Sequence, residues 1–143
     1  MSDNFNPQRF VEAQEPVFES VRAELLAGQK RTHWMWFIFP QIAGLGSSAM
    51  AQHYAISGRA EAAAYLAHPL LGARLADCTA LVNAAQGRTA REIFGPIDEM
   101  KFRSSMTLFA EIAEHSGGFA LALQKYFAGA RDERTIELLG AAL

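Results

Sequence analysis

The chain has little cysteine, no excess of charge of either sign and no long hydrophobic run. One cysteine, Cys78, among 143 residues excludes an internal disulfide and is typical of a reducing compartment. A formal net charge of −2 provides no basic surface for a nucleic-acid backbone. The longest apolar run, residues 34–40, is far shorter than the ~20 residues of a membrane span. We therefore predict neither a nucleic-acid partner nor a membrane partner.

The N-terminal segment lacks the pattern of a secretory signal. Residues 1–7 contain no cationic stretch followed by an apolar one. Together with the lone cysteine, this predicts a cytoplasmic protein. Hydrophobic residues make up 50% of the chain and charged residues 20%, a balance that excludes intrinsic disorder. At 143 residues the chain is long enough for one domain, residues 1–143, with a core of its own.

Glycines and capping residues predict helices along the chain. Gly28 follows an amphipathic segment and has the position of a helix stop. Thr89 and Glu92 have the spacing of a capping box, and Asp132 has the position of a cap for a last short helix. The strongest helical pattern covers 98–114, and no segment alternates with the period of a strand. We predict an all-α domain of about seven or eight short helices packed at varied angles.

The most distinctive segment is 30–41, which contains both tryptophans of the protein. Trp34 and Trp36 lie two residues apart, next to His33. Large amphipathic rings beside ionisable groups wall a ligand pocket or anchor a core. An extended segment would place both rings on one face, whereas a helical turn separates them by about 200°. We expect a helical turn, with one ring in the core and the other lining a cleft.

Helical geometry places polar side chains on the apolar faces of several predicted helices. In 98–114, the residues Asp98, Lys101 and Ser105 fall in the same arc as Phe102, whereas Thr107 falls on the opposite arc, towards water. An ionised group on an apolar face is costly unless it is paired or lies in a wet cleft. The same argument applies to three polar residues of other helices: Gln14, His53 and Arg74.

Several blocks of the sequence resemble the domain of unknown function 1810 family. The most specific are HWMWFIFPQ at 33–41 and RSSMTLF at 103–109, with supporting matches at 44–46, 54–57, 67–69 and 93–95. The resemblance covers about residues 10–139 and implies a mainly helical single domain with no established activity. Some members carry a calpastatin-like label. That label does not suit this chain, because a disordered inhibitor is polar and rich in charge.

Motifs for metal, cofactor and nucleophile chemistry are missing. The four histidines are scattered, without an HExxH pair, and one cysteine is too few for a typical zinc site. The sequence has no GxSxG elbow. The glycine-containing segment 44–48 lacks the lysine of a P-loop. We predict no metal and no cofactor.

Two hypotheses for function remain. In the first, the protein binds or processes a small anionic metabolite, such as a phosphate- or nucleotide-type molecule, in a Trp-lined cleft. Lys101 and Arg74 hold the anion, and His33 or Asp98 transfers a proton. The other ligand-binding candidates are the aromatic and polar residues Gln14, Trp34, Trp36, Gln41, His53 and Ser105.

In the second hypothesis the protein is a non-catalytic interaction or structural module. Its inward polar residues then form ion pairs that lock the core, with Asp98, Glu24 or Glu61 as the acidic partners of Arg74 and Lys101. A concave pocket where the candidate residues converge favours binding, whereas ion pairs without a cavity favour the structural module. No feature of the sequence indicates an oligomeric state.

Overall fold

Ten α-helices make up most of the chain in the computed structural model, which describes residues 5–115 and 117–141. They are α1 Gln8–Gln14, α2 Phe18–Leu26, α3 Met35–Ile38, α4 Ala49–His53, α5 Arg59–Ala67, α6 Leu71–Ala84, α7 Ala90–Phe94, α8 Pro96–Ile112, α9 Gly117–Phe127 and α10 Glu133–Ala141. The predicted all-α class is confirmed. The structure has more helices than the seven or eight predicted, and three of them, α3, α4 and α7, are only four or five residues long.

Over the described residues, no helix is both long enough and apolar enough to cross a bilayer. The only β-type pairing in that part of the chain is an isolated parallel bridge between Ile42 and Ile56. The prediction that the chain lacks a secretory signal concerned residues 1–7, of which residues 1–4 lie outside the described residues.

The start of α8 shows how local sequence sets a helix boundary. Thr89 and Glu92 form the predicted capping box of α7: the Thr89 hydroxyl accepts the Glu92 N–H at 3.0 Å, and the Glu92 carboxylate accepts the Thr89 N–H at 2.8 Å. Gly95 ends α7 with φ at +86°, in the region that favours glycine. Pro96 then begins α8, two residues earlier than predicted, because its fixed φ suits a first helical position.

Helix α8 is central, with α5, α7, α9 and α10 packed against it. Phe102 lies at the middle of an aromatic cluster in which its ring centroid is 4.7 Å from that of Phe94 and 5.0 Å from that of Phe39. Tyr126 and Phe127 of α9 complete the cluster. Since Phe39 follows α3, this cluster joins the Trp-rich segment to the main helix.

The prediction that Thr107 faces water is wrong, because α10 covers that side of α8. Thr107 is fully buried, and its hydroxyl accepts the backbone N–H of Asp132 at 2.9 Å. Asp132 caps α10 as predicted, since its carboxylate accepts the N–H of Thr135 at 3.1 Å. The same carboxylate accepts the Ser104 hydroxyl at 3.1 Å and so ties the cap to α8.

Candidate functional site

A cavity of about 160 Å³ is lined by α3, the segment that follows it, α4 and the first part of α8. Three of the predicted ligand-binding residues, Trp36, Gln41 and Lys101, line it. Gln52 and Tyr54 add an amide and a phenol, and most of the remaining lining is apolar. We call this space the Trp36 cavity.

The two tryptophans occupy different environments, which confirms the prediction made from the helical turn. Trp34 immediately precedes α3 and is almost completely buried in the core. Trp36, one residue inside α3, is half-buried and forms part of the cavity wall. The helical turn thus places Trp34 in the core and Trp36 in the cavity wall.

Glu24 of α2 fixes the loop that leads into α3. Its carboxylate accepts the N–H of Arg31 at 2.7 Å, the N–H and hydroxyl of Thr32 at 3.0 and 2.6 Å, and the indole N–H of Trp34 at 2.9 Å. Burial acts to raise the pKa of Glu24, but these four hydrogen bonds outweigh it and lower the pKa from 4.5 to about 2. From the sequence, Glu24 was predicted only as an ion-pair partner, because its hydrogen-bond partners lie in the loop after α2 and share no helical face with it.

We expect Glu24→Gln to lower the free energy of unfolding by about 2 kcal/mol at pH 7, because charge-assisted hydrogen bonds are lost. The ionised Glu24 carboxylate stabilises the fold fully when the pH is above the pKa of the unfolded state, near 4.5. This stabilisation is lost as the pH falls from there through the pKa of the folded state, about 2. Urea unfolding should therefore show a gap between wild type and variant that shrinks below pH 4.5. Glu12→Gln, at an exposed site of α1, is the control and should show no such gap. A gap that does not depend on pH would contradict this assignment.

Two lysines share one aspartate at the edge of the cavity. The Asp98 carboxylate lies 2.9 Å from the Lys30 ammonium and 3.6 Å from that of Lys101. Each ammonium also lies 5.1 Å from a tryptophan ring centroid, Lys30 from Trp34 and Lys101 from Trp36. The Lys101–Asp98 pair is the structural pairing considered from the sequence, whereas the part played by Lys30 was missed because it joins distant segments.

One wall of the Trp36 cavity is a segment whose two ends are held together by backbone hydrogen bonds. The N–H of Ile56 donates to the carbonyl of Gln41, and the N–H of Ala43 donates to the carbonyl of Ile56, each at 2.8 Å. Between these bonds lie residues 43–55, which include α4. Gln52 of α4 donates its amide N–H to the carbonyl of Ser47 at 2.9 Å. This bond leaves the side-chain oxygen of Gln52 as its acceptor group for other partners.

Gln14 lies in the core and not in the Trp36 cavity. It is buried, and its amide donates to the carbonyl of Phe37 at 2.7 Å and to the Tyr65 hydroxyl at 3.2 Å. Burial of the Tyr65 phenol raises its pKa, so the hydroxyl stays protonated. Gln14 therefore has a structural role, because its side chain links α1 to Phe37 of α3 and to Tyr65 of α5.

Arg74 does not line the Trp36 cavity, so the binding of one anion by Arg74 and Lys101 together stays a prediction. The Arg74 guanidinium lies 2.9 Å from the Glu15 carboxylate, donates to Gln14 at 3.3 Å and covers the Phe18 ring. Its place on the apolar arc of α6 correctly indicated partial burial. That position did not reveal the partner, because Glu15, which follows α1, is distant in the sequence.

The remaining candidates also lie away from the cavity lining. His33 is exposed in the loop before α3. His53 is exposed at the end of α4, with its ring edge-on to Tyr54 at 4.6 Å. Ser105 is fully buried, and its hydroxyl has no hydrogen-bond partner among the described residues. Proton transfer by His33 or Asp98 stays a prediction.

A comparison with known sequences and structures places the chain among its relatives. The profile of the protein of unknown function family DUF1810 matches residues 4–139. The chain belongs to the DUF1810 family. It is 56% identical to the conserved hypothetical protein Rv1873 from Mycobacterium tuberculosis, whose crystal structure matches with a TM-score of 0.95 over 96% of this chain and 99% of that one. No curated protein matches the chain.

The polar groups of the cavity suit an organic ligand better than a metal ion. In this DUF1810 chain they are two amides, a phenol and an ammonium group. Zinc prefers cysteine and histidine, and calcium or magnesium prefers several carboxylate oxygens. Over 5–115 and 117–141, no group of three or more His, Cys, Asp or Glu side chains is placed to hold a metal ion.

Proposed function

We propose that this DUF1810 protein binds a small anionic molecule with a planar group in the Trp36 cavity. The observation that carries the proposal is the convergence of an aromatic ring, an ammonium group and two amides, from Trp36, Lys101, Gln41 and Gln52, around one cavity with mostly apolar walls. Concave apolar pockets with a few placed polar groups are the usual form of small-molecule sites.

Lys101 is the cation that is available to a ligand. The Lys30 side chain is only 7% exposed and lies close to Asp98, at 2.9 Å. The Lys101 side chain is 27% exposed, and its distance to the same carboxylate is longer, at 3.6 Å. An ammonium group with three donors binds either a carboxylate or a phosphate, including the phosphate-type ligands expected from the sequence. Lys101 can therefore contact an anion while Lys30 keeps Asp98 paired.

The neighbouring side chains supply shape and orientation. The half-buried Trp36 offers a ring face to a planar group. The free oxygen of Gln52 and the amide of Gln41 can accept and donate hydrogen bonds. The proposal concerns binding, since His33 and Asp98 do not line the cavity.

Lys101→Met tests the proposal against the structural alternative. The methionine keeps most of the apolar stem and deletes the charge, while Lys30 remains to pair Asp98. We expect unfolding free energy to change by less than about 1 kcal/mol, as for a partly exposed ion pair. The rise in melting temperature that a small anion produces in the wild type should disappear, because stabilisation follows binding to the folded state. Probes are inorganic phosphate, adenosine monophosphate, ribose 5-phosphate and benzoate.

Lys125→Met is the matched control, since it removes the same charge from an exposed position of α9. The Lys125→Met protein should keep the rise in melting temperature that the anion produces, whether or not the substitution changes the stability of the free protein. A Lys101→Met protein that is several kcal/mol less stable, with no shift from any probe in either protein, would favour the structural module.

A further inference from the structure

We infer that the ligand of the Trp36 cavity is a single-ring aromatic carboxylate. This inference rests on the proposed function and narrows it from small anions in general to one chemical class. Size, wall chemistry and charge each point to that class.

The volume of the cavity fits one ring. It measures about 160 Å³. An apolar cavity of about 150 Å³ is known to hold benzene, whereas pockets for drug-sized ligands reach roughly 300–1,000 Å³. A whole nucleotide, with base, ribose and phosphate, therefore exceeds the space, while one six-membered ring fills it.

The walls favour an apolar ring over a sugar. Met35, Phe39, Ile42 and Ala51 contribute apolar groups, and Trp36 adds its ring. Burying apolar surface against such walls is favourable. Each buried sugar hydroxyl would instead need its own hydrogen-bond partner. The lining offers few such partners, so the walls select an aromatic ring with at most one or two polar substituents.

The local charge fits a monoanion. Lys30 and Lys101 each lie next to the Asp98 carboxylate, and the three residues together carry a formal charge of +1. A carboxylate at −1 neutralises this cluster. A phosphate monoester carries about −1.5 to −2 near pH 7 and would leave excess negative charge beside Asp98.

Isothermal titration calorimetry in phosphate-free buffer tests the class directly. The probes are benzoate, its neutral analogue benzamide, adenosine monophosphate and ribose 5-phosphate. We expect benzoate to bind at least tenfold more tightly than each of the other three, because only benzoate combines a single ring with one negative charge. Lys101→Met should weaken benzoate binding at least tenfold and leave benzamide unchanged.

A second variant tests the volume without touching the charge. Ala51→Leu extends a side chain of α4 into the cavity and should abolish benzoate binding. Ala49→Leu, at an exposed position of the same helix outside the lining, is its control and should bind benzoate as the wild type does. Circular dichroism and the melting temperature establish that each variant is folded.

The outcomes separate this inference from the proposed function. If adenosine monophosphate or ribose 5-phosphate binds more tightly than benzoate, and Lys101→Met abolishes that binding, the cavity binds anions but the carboxylate class is wrong. If no probe binds, or if Lys101→Met and Ala51→Leu leave all binding unchanged, the proposed function itself is wrong.

Discussion

Phe102→Ala is expected to lower the free energy of unfolding by about 3–5 kcal/mol, the range for truncating a fully buried phenylalanine. Phe102 is completely buried and contacts rings from three directions: Phe39 after α3, Phe94 of α7, and α9. Neighbouring helices can close only part of the resulting space, so a cavity penalty adds to the lost burial. Urea unfolding followed by circular dichroism measures the change.

Leu26→Ala serves as the control for Phe102→Ala, because Leu26 is 78% exposed and its truncation should change stability by less than about 0.5 kcal/mol. Since Phe39 also lines the Trp36 cavity, Phe102→Ala should weaken ligand binding as well. A loss of less than about 1.5 kcal/mol would mean that the cluster repacks, and would contradict the central role given to this ring.

Gly72→Ala should destabilise the protein by about 3 kcal/mol, at the upper end of the range for overpacking. A Cβ atom at Gly72 would lie 2.2 Å from the carbonyl oxygen of Leu66 and 3.0 Å from its carbonyl carbon. Both atoms belong to the backbone at the end of α5, so relief requires the α5–α6 corner to move. A flexible side chain could turn aside, but a backbone carbonyl cannot.

Gly140→Ala is the matched control for Gly72→Ala. Gly140 lies within α10, and a Cβ there would meet no atom within 4 Å. Alanine is the better helix former by up to about 1 kcal/mol, so this variant should be unchanged or more stable. Thermal and chemical unfolding should therefore show a loss of stability for Gly72→Ala and none for Gly140→Ala. Equal stability of Gly72→Ala and wild type would show that the corner is looser than its geometry indicates.

Features of the fold that depend on neighbours along the chain could be predicted from the sequence. The capping box of Thr89 and Glu92 involves residues three apart, and the separation of Trp34 from Trp36 follows from one helical turn. The placement of Lys101 on the inner side of α8 follows from the same periodicity. In each case the determining geometry is contained within a few residues.

Features that depend on tertiary packing could not be predicted in the same way. An apolar arc indicated that Arg74 is partly buried, but its pairing with Glu15 depends on how α1 packs against α6. Thr107 lies on the polar arc of α8, yet α10 covers it. A helical wheel assigns a residue to a face but does not show which element covers that face.

The candidate site shows the same division. Trp36 and Gln41 were predicted because they belong to the Trp-rich segment, and Lys101 because it falls on the apolar arc of α8. Gln52 was missed, since α4 is a single turn and a glutamine there is indistinguishable from a solvated surface residue. Lys30 begins the Trp-rich segment, but its pairing with Asp98 was not predicted because the two residues are distant in the sequence.

The bridge between Ile42 and Ile56 bears on how the family can diversify. It holds the ends of the 43–55 segment together, and the Tyr54 ring packs against Phe10 of α1 and Phe37 of α3. Only the length of the stretch between Gly44 and His53 is therefore uncoupled from the packing of the main helices. The entropy of closing a loop grows only with the logarithm of its length, about 0.6 kcal/mol for each doubling. Insertions or deletions between these two points would therefore reshape one wall of the cavity and leave α3 and α8 in place. Sequence changes in this one segment can therefore alter the ligand that such a protein binds, while the packing of its main helices stays the same.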